Sequence, residues 1–335
     1  MGSRAGNACG IEVRVSIREA EATIDIFGAD GSFMRIAGEG QGEQGAQLAT
    51  DMKGFYDAPV KTFRREGAHQ IGGNYLGKKY TIRDVSFGLH VHGNETEWWE
   101  SRDSAVRKAF SYELDPWNPD AQLARMQITT EISGARSLRL ALSESIGFES
   151  EFDPLLMQRG VTPVLAAAMQ PMWFEDDFLG TPEHPAHWEL TSGTSGEGSV
   201  WISNPTDQPM AHSWICSGTG TFGLPDFSWT GPEYARVPGV DFKTGRDDSE
   251  RMYTVPTITS ADGGGATVHV SRMKIPVRSF SNTNIAGRTN GKRLLYAVPP
   301  YTPPTEVPVY VTGASPGAGV QLRMPRLWSR PWGLE

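Results

Sequence analysis

The chain has 335 residues, too long for one typical domain and comfortable for two. Its 38 glycines, 23 prolines and 10 tryptophans, set among short apolar runs, exclude wholesale disorder and favour all-β architecture with many turns. The net charge of −8, without a concentrated Lys/Arg cluster, argues against nucleic acid as a partner, because phosphate binding relies on dense positive charge.

In chain order, the first element is a hairpin over Ala22 to Ala37. Ile24 and Ile26 alternate with neighbours, Gly28-Ala29-Asp30-Gly31 turns the chain, and Phe33 to Ile36 returns. Gly38 to Gly45 is an acidic glycine-rich loop that lacks the lysine and the spacing of a phosphate cradle. Tyr80 to His92 alternates through Ile82, Val85, Phe87, Leu89 and Val91 and reads as a strand. Asn94-Glu95-Thr96-Glu97 has the form of a capping box, which predicts a helix over Thr96 to Leu114, ended by Pro116. On that helix Trp99, Val106 and Phe110 share the core face, and Asp103 and Arg107 form an i,i+4 pair. Strands are predicted over Ala124–Glu131, Ser137–Ser143 and Val161–Met169, and the texture changes at Pro171-Met172-Trp173-Phe174.

Beyond that point Trp188, Trp201, Trp214 and Trp229 recur every 13 to 15 residues, the rhythm of strands and turns in a sandwich. Val200–Pro205 and His212–Cys216 read as neighbouring strands, and Asn290-Gly291 as a two-residue hairpin turn. The proline-interrupted segment Arg323 to Trp332 reads as extended chain laid on another surface. Two cysteines, Cys9 and Cys216, exclude a disulfide framework and suggest a reducing compartment. Met1-Gly2-Ser3-Arg4 is followed by no apolar stretch and no window is apolar enough to span a bilayer. The expectation is therefore a soluble chain assembled in a cytoplasm, without membrane insertion.

Catalytic and metal chemistry find little support. His90 and His92 share one strand face but lack defined third and fourth ligands for zinc. His184 and His187 lie on a proline loop, without the helical spacing of a zinc protease. Glu175-Asp176-Asp177 are contiguous, whereas a glycosidase holds two carboxyls across a cleft. Asp247-Asp248-Ser249-Glu250 lacks the calcium-loop spacing, and Ser195 lies outside a nucleophile elbow. No catalytic residue, metal or cofactor is assigned. Trp188 and Trp229, beside polar or Pro/Gly-rich stretches, are the candidates for exposed aromatic contact with a glycan or partner.

The order of these parts resembles a known family. The apolar strand Thr81 to Leu89, the turn at Gly93-Asn94, the amphipathic helix with Trp98-Trp99 and Arg102/Arg107, the segment Val164 to Phe174, and Asn204-Pro205-Thr206-Asp207-Gln208-Pro209 together are similar to the distal tail protein of long-tailed, non-contractile bacteriophages, the minor tail protein of actinobacteriophages.

The resemblance implies an all-β fold with one notable helix. Residues 1–170 would form a ring-forming β-sandwich or split barrel, 171–312 a galectin-like β-sandwich, and 313–335 an extended tail. It also implies a structural virion component rather than an enzyme. That component would be a homo-oligomeric ring, expected to be hexameric, at the distal end of the tail around the DNA channel. It would join the tail tube protein to the tail-tip hub protein, be assembled in the host cytoplasm, and bind no specific nucleic acid. Trp98 and Arg102 are the expected subunit-interface residues. Two other readings stay open: a carbohydrate-binding tail protein contacting a host surface glycan through Trp188 and Trp229, and a polysaccharide hydrolase using Asp177.

Overall fold

The computed structural model describes residues 22–49, 52–115, 117–118, 121–148, 152–229 and 248–335. Cys9, Pro116 and Asp247 lie outside the described residues.

The first unit contains β1 (Thr23–Phe27), β2 (Phe33–Ala37), β3 (Ala46–Leu48), an arm of β4 (Val60–Arg65) and β5 (Asn74–Tyr80), and β6 (Arg83–His92). Helix α1 (Trp99–Ala109) follows, then β7 (Ala124–Thr130), β8 (Gly134–Leu142), the single turn α2 (Pro154–Met157), β9 (Arg159–Ala168) and β10 (Trp173–Phe174). The strands pair in the order β2-β1-β7-β8-β9-β6-β3, and the described pairings are antiparallel. The two ends of this order approach each other. Gly42 N–H donates to the Arg35 carbonyl of β2 at 3.1 Å, and the Arg35 amide donates to the Gln44 side chain at 3.0 Å. The sheet therefore curls almost shut through the Gly38–Gly45 loop, which limits the open edge it offers to other chains.

Sequence and structure agree on the β1–β2 hairpin, whose turn needs Gly31 at φ +82. The alternation of β6 buries Val85, Phe87, Leu89 and Val91, and its register with β9 runs unbroken from Arg83 to His92. Helix α1 is shorter than expected. The Asn94 carboxamide accepts from the amides of Thr96 and Glu97, so it closes a turn before the helix instead of capping it. Trp98 occupies the N-cap, and the chain is already extended at Phe110. Trp99, Val106, Ala109 and Phe110 are buried, in line with the 3.6-residue spacing, and Asp103 holds Arg107 at 2.7 Å.

The second unit is a two-layer sandwich. One sheet takes β11 (His187–Glu189), β13 (Ser213–Ser217), β16 (Gly265–His269), β17 (Val277–Ser279) and β19 (Gly319–Arg323). The other takes β12 (Ser195–Asn204), β14 (Thr221–Pro225), β15 (Met252–Thr254) and β18 (Thr302–Thr312). Their orders are β11-β19-β13-β16-β17 and β12-β18-β14-β15. Val200, Ile202, Trp214, Phe222, Val268, Val309 and Leu322 are among the apolar side chains buried between the layers.

Three expectations need correction. β12 and β13 are not neighbours in one sheet; they face each other from opposite layers, because each pairs with a strand from the end of the chain. Asn290 and Gly291 do adopt the left-handed conformation, at φ +51 and +75. They follow a 3-10 turn over Ala286–Thr289 and join no strand pair, because the dipeptide fixes the bend and not what flanks it. Gly319–Arg323, inside the stretch expected to be an extended tail, lies between β11 and β13 as an interior strand. The chain then leaves the sandwich, and β20 (Leu327–Trp328) pairs with β10 on the first sheet.

Candidate functional site

The residues that concentrate burial, charge and long-range bonding lie where this returning strap meets the first sheet. Trp173 and Trp328 are register partners on β10 and β20, and both are buried in the core of the first unit. The Trp173 indole N–H donates to the Phe55 carbonyl at 2.9 Å. Trp332 follows on the strap and packs against Tyr56 and Phe55, with ring centroids 5.1 and 6.0 Å apart.

Two arginines with fully buried side chains complete the seam. Arg83 opens β6 in the inward phase of that strand. Its guanidinium donates to five carbonyls: Pro171 at 2.6 Å, Phe55 at 2.7 Å, Ser329 at 2.8 Å, Gly54 at 3.2 Å and Tyr56 at 3.3 Å. Three chain segments far apart in sequence thus share one cation. Burial lowers this group from 12.5 to about 10, with the charge of Asp57 opposing, so it stays protonated at neutral pH. Arg136 on β8 lies 3.7 Å from the centre of the Trp328 ring. It donates to the Gly333 carbonyl at 2.9 Å, to Glu335 at 2.7 Å and to Glu175 at 3.4 Å. Burial lowers Arg136 too, and Glu335 and Glu175 act against that.

The strap also holds the second unit. The Ser329 amide donates to Asp207 at 3.0 Å, and Arg330 meets Asp57 of the first unit at 2.6 Å. Asp207 belongs to the Asn204–Pro209 turn. There the buried Asn204 amide reaches the carbonyls of Gln208, Val298 and Pro299, while its oxygen accepts from Thr206. These donors and acceptors satisfy one another within the chain, and the arrangement serves to fix geometry. Among the described residues, no group of three or more His, Cys, Asp or Glu side chains is placed to hold a metal ion. No helix among the described residues is long and apolar enough to cross a membrane.

The residues singled out from the sequence fall differently. Trp98 is 69% exposed. Arg102 is not beside it on the surface: it is buried, donating to Glu97 at 3.1 Å and to the His92 carbonyl at 3.2 Å. That corrects its expected place at a subunit interface, because its guanidinium braces the turn before α1 from within. Trp188 and Trp229 are half-buried against the sandwich core, which corrects their expected exposure. The Trp188 ring lies so close over Gly198 that a Cβ there would sit 2.0 Å from its indole nitrogen. His184 packs edge-on to Trp201 at 4.4 Å beside a cleft of about 530 Å³ that Tyr301 and Arg326 also line. Glu175 is occupied by Arg136 and Arg326, while Asp176 and Asp177 are exposed.

Arg83 and Arg136 were missed by sequence reasoning, although a signal exists. Each stands in the apolar phase of its strand, Arg83 before Val85-Phe87-Leu89 and Arg136 before Leu138-Leu140-Leu142.

The chain is 30% identical to minor tail protein Gp27 of Mycobacterium phage D29, over 94% of this chain and 99% of that protein. The chain belongs to the mycobacteriophage minor tail protein family. Minor tail protein Gp27 of Mycobacterium phage L5 is likewise 30% identical, with the same coverage. No protein-family model matches the chain. Among solved structures, the Dit (gp 19.1) protein of SPP1, described as a paradigm of the hub adsorption apparatus in phages infecting Gram-positive bacteria, superposes with a TM-score of 0.53. It is 10% identical and matches over 90% of this chain and 98% of its own. This likeness is one of fold, and it extends over both units. The minor tail protein is a structural component of the phage tail, as the resemblance in its sequence implied.

Proposed function

We propose that this minor tail protein forms a closed ring of identical subunits, six by expectation, at the distal end of the tail. The first unit, up to about residue 170, forms the ring, the sandwich from about 171 to the end of β19 at Arg323 is carried outward, and the strap after Arg323 ties the two together. The ring surrounds the DNA channel and joins the tail tube protein to the tail-tip hub. The observation that carries this reading is the full-length match to minor tail proteins together with the shared fold of the SPP1 hub protein. The arginine-held strap supports it, because a ring that passes force between tube and tip needs its two units held as one body. The acidic balance of −8 suits a channel through which DNA passes without adhering. Such a protein acts by position and needs no catalytic group. For the carbohydrate-binding alternative, the half-burial of Trp188 and Trp229 leaves little ring face for a sugar.

Mass photometry and negative-stain images of the purified chain test the proposal. The expected result is a discrete annular species of uniform subunit number. A chain that is monomeric at all accessible concentrations, or absent from the tail end when gold-labelled in virions, overturns it.

A further inference from the structure

The stretch from Gly263 to Thr305 contains no Asp or Glu, yet it contains Arg272, Lys274, Arg278, Arg288, Lys292 and Arg293, in a chain of net −8. Two of these cations are occupied: Arg288 meets Asp262 at 2.9 Å, and Arg293 donates to the Ser271 carbonyl at 3.0 Å. Lys274 and Arg278 are placed differently. They line a cleft of about 690 Å³ at the β17 edge of the five-stranded sheet, and among the described residues neither has a carboxylate partner. The five strands of that sheet carry one carboxylate, Glu189 on β11, at the opposite edge.

The strand period builds the cleft. Ala266 and Val268 of β16 and Val277 and Ser279 of β17 are buried, so Thr267, His269 and Arg278 stand on the outer face, where Thr267 and Arg278 are register partners. Phe280 continues that phase, and its ring lies across Gly265, where a Cβ would sit 2.1 Å from it. The connection between the two strands brings Lys274 and Ile275 to the same cleft. Asn282, left-handed at φ +60, accepts from Arg278 Nε at 3.0 Å. That bond fixes the guanidinium plane and leaves its two terminal nitrogens for a ligand. Burial lowers His269 from its ordinary 6.5, and the charges of Lys274 and Arg278 lower it further, so both cations act on one imidazole. His269 is therefore neutral at neutral pH, and Lys274 and Arg278 supply the charge.

We propose that this cleft binds a phosphate-bearing saccharide. The inference goes beyond the ring reading and does not depend on it. A phosphate ester carries a charge of roughly −1.5 to −2 at neutral pH, which suits two adjacent cations, whereas a carboxylate brings a single charge. The arginine fork takes two phosphate oxygens at once, and the lysine adds a point charge. Phe280 and Ile275, 52% and 58% exposed, stand beside these cations as apolar walls, and Thr267 and Asn282 add hydrogen-bonding groups. A bare ion leaves the walls unused, while a sugar lays its C–H face on the ring and its hydroxyls on the polar groups. A nucleic acid strand follows a cationic groove over several nucleotides, and here the cations converge on one cleft. The surface is also separate from Trp188, which stands on β11 at the far edge of the sheet.

Isothermal titration calorimetry on the full-length chain tests this, with glucose 1-phosphate, glucose, glucuronate and inorganic phosphate as probes. Glucose 1-phosphate is expected to bind roughly tenfold or more tighter than inorganic phosphate or glucuronate, and glucose not to bind at millimolar concentration. Lys274→Met/Arg278→Met should weaken both phosphates roughly tenfold or more. Phe280→Ala should bring glucose 1-phosphate down to the level of inorganic phosphate and leave inorganic phosphate unchanged. The three substituted side chains are exposed, and unchanged melting confirms the fold. Absence of saturable glucose 1-phosphate binding, or binding that the double variant leaves intact, overturns the proposal. Equal affinity for glucose 1-phosphate and inorganic phosphate reduces the cleft to an ion site and overturns the saccharide. Tighter binding of glucuronate overturns the phosphate. A fluorescent single-stranded oligonucleotide that binds through Lys274 and Arg278 where glucose 1-phosphate does not, or assembly lost in the double variant without any sugar binding, assigns the cleft to nucleic acid or to a subunit contact and overturns it.

Discussion

The strap seam and the β4–β5 arm are built from the same kinds of side chain and differ in where the partners come from. In the seam, Arg83, Arg136, Trp173 and Trp328 are 3% exposed or less, and their partners are backbone carbonyls, rings and carboxylates of the same chain. In the arm, Arg64, Arg65, Phe63 and Tyr75 are open to solvent along their whole ribbon. A cation satisfied within its own chain contributes to folding, whereas one held outward is satisfied by water and contributes little to it. The two regions should therefore respond differently to substitution: the seam loses stability, and the arm loses almost none.

The largest effect is expected in the seam. Trp328→Ala removes a buried indole that fills the first core and lies against Arg136, and it should cost about 3–5 kcal/mol of unfolding free energy in urea titration. Arg83→Met keeps much of the volume but strands the carbonyls of Pro171, Phe55 and Ser329, for a cost of about 2–4 kcal/mol. Lys61→Glu, Arg64→Glu and Arg65→Glu in the arm, on exposed side chains, should stay within about 0.5 kcal/mol of wild type in the same titration. Equal losses in both regions would break the contrast.

Acid sharpens it, because the sandwich core carries its own titrating group. His212 is 3% exposed, packs against Trp214 at 6.0 Å, and is held by burial at about 4, below its ordinary 6.5. Below pH 6.5 the unfolded chain takes up a proton that the folded chain refuses. This contribution is complete above 6.5 and falls as pH drops toward 4, by up to about 3 kcal/mol. Asp226 runs the other way. Burial raises it from 3.8 to about 6, so its contribution is greatest below 3.8 and is lost as pH rises through 6. Comparing wild type with His212→Leu isolates the histidine: their difference in stability should change with pH between 6.5 and 4 and be flat above. A flat difference throughout would mean that the ring nitrogens find partners in solution.

What the sequence disclosed follows the same division. Local rules were legible: the Asp30-Gly31 turn, the inward phase of β6 and the apolar face of α1 all depend on residues a few positions apart. The seam was only partly legible, because its bonds join Arg83 to Ser329 and Arg136 to Glu335, and no local period reports such pairs. Arg83 and Arg136 could have been flagged as charges in an apolar phase, but not matched to carbonyls two hundred residues away. The pairing of β12 and β13 failed for that reason too: each strand's partner arrives with the chain's end. Trp188 and Trp229 misled because flanking polarity says little about whether a large ring packs on the core.

The smallest expected effect on folding separates assembly from stability at one position. Trp98 stands at the N-cap of α1 with extended backbone, φ −75 and ψ 152, and its side chain makes no capping bond. The groups that start the helix are backbone: the Trp98 carbonyl accepts from the amides of Ser101 at 3.1 Å and Arg102 at 3.3 Å. Any residue at 98 keeps those bonds. Trp98→Ala should therefore move the melting transition by no more than about 0.5 kcal/mol. Trp98→Ser adds a hydroxyl that can accept from the Glu100 amide in the first turn, so it should stabilise the fold by about 0.5–1 kcal/mol. If the exposed indole anchors a neighbouring subunit, both substitutions weaken assembly by about 2 kcal/mol or more, roughly thirtyfold. Trp98→Ser thus carries opposite signs for folding and assembly, which loss of a buried core group cannot imitate. Calorimetry and mass photometry on the two variants read the two signs. Intact rings together with a lowered melting point would show that the indole packs inward and that subunits meet elsewhere.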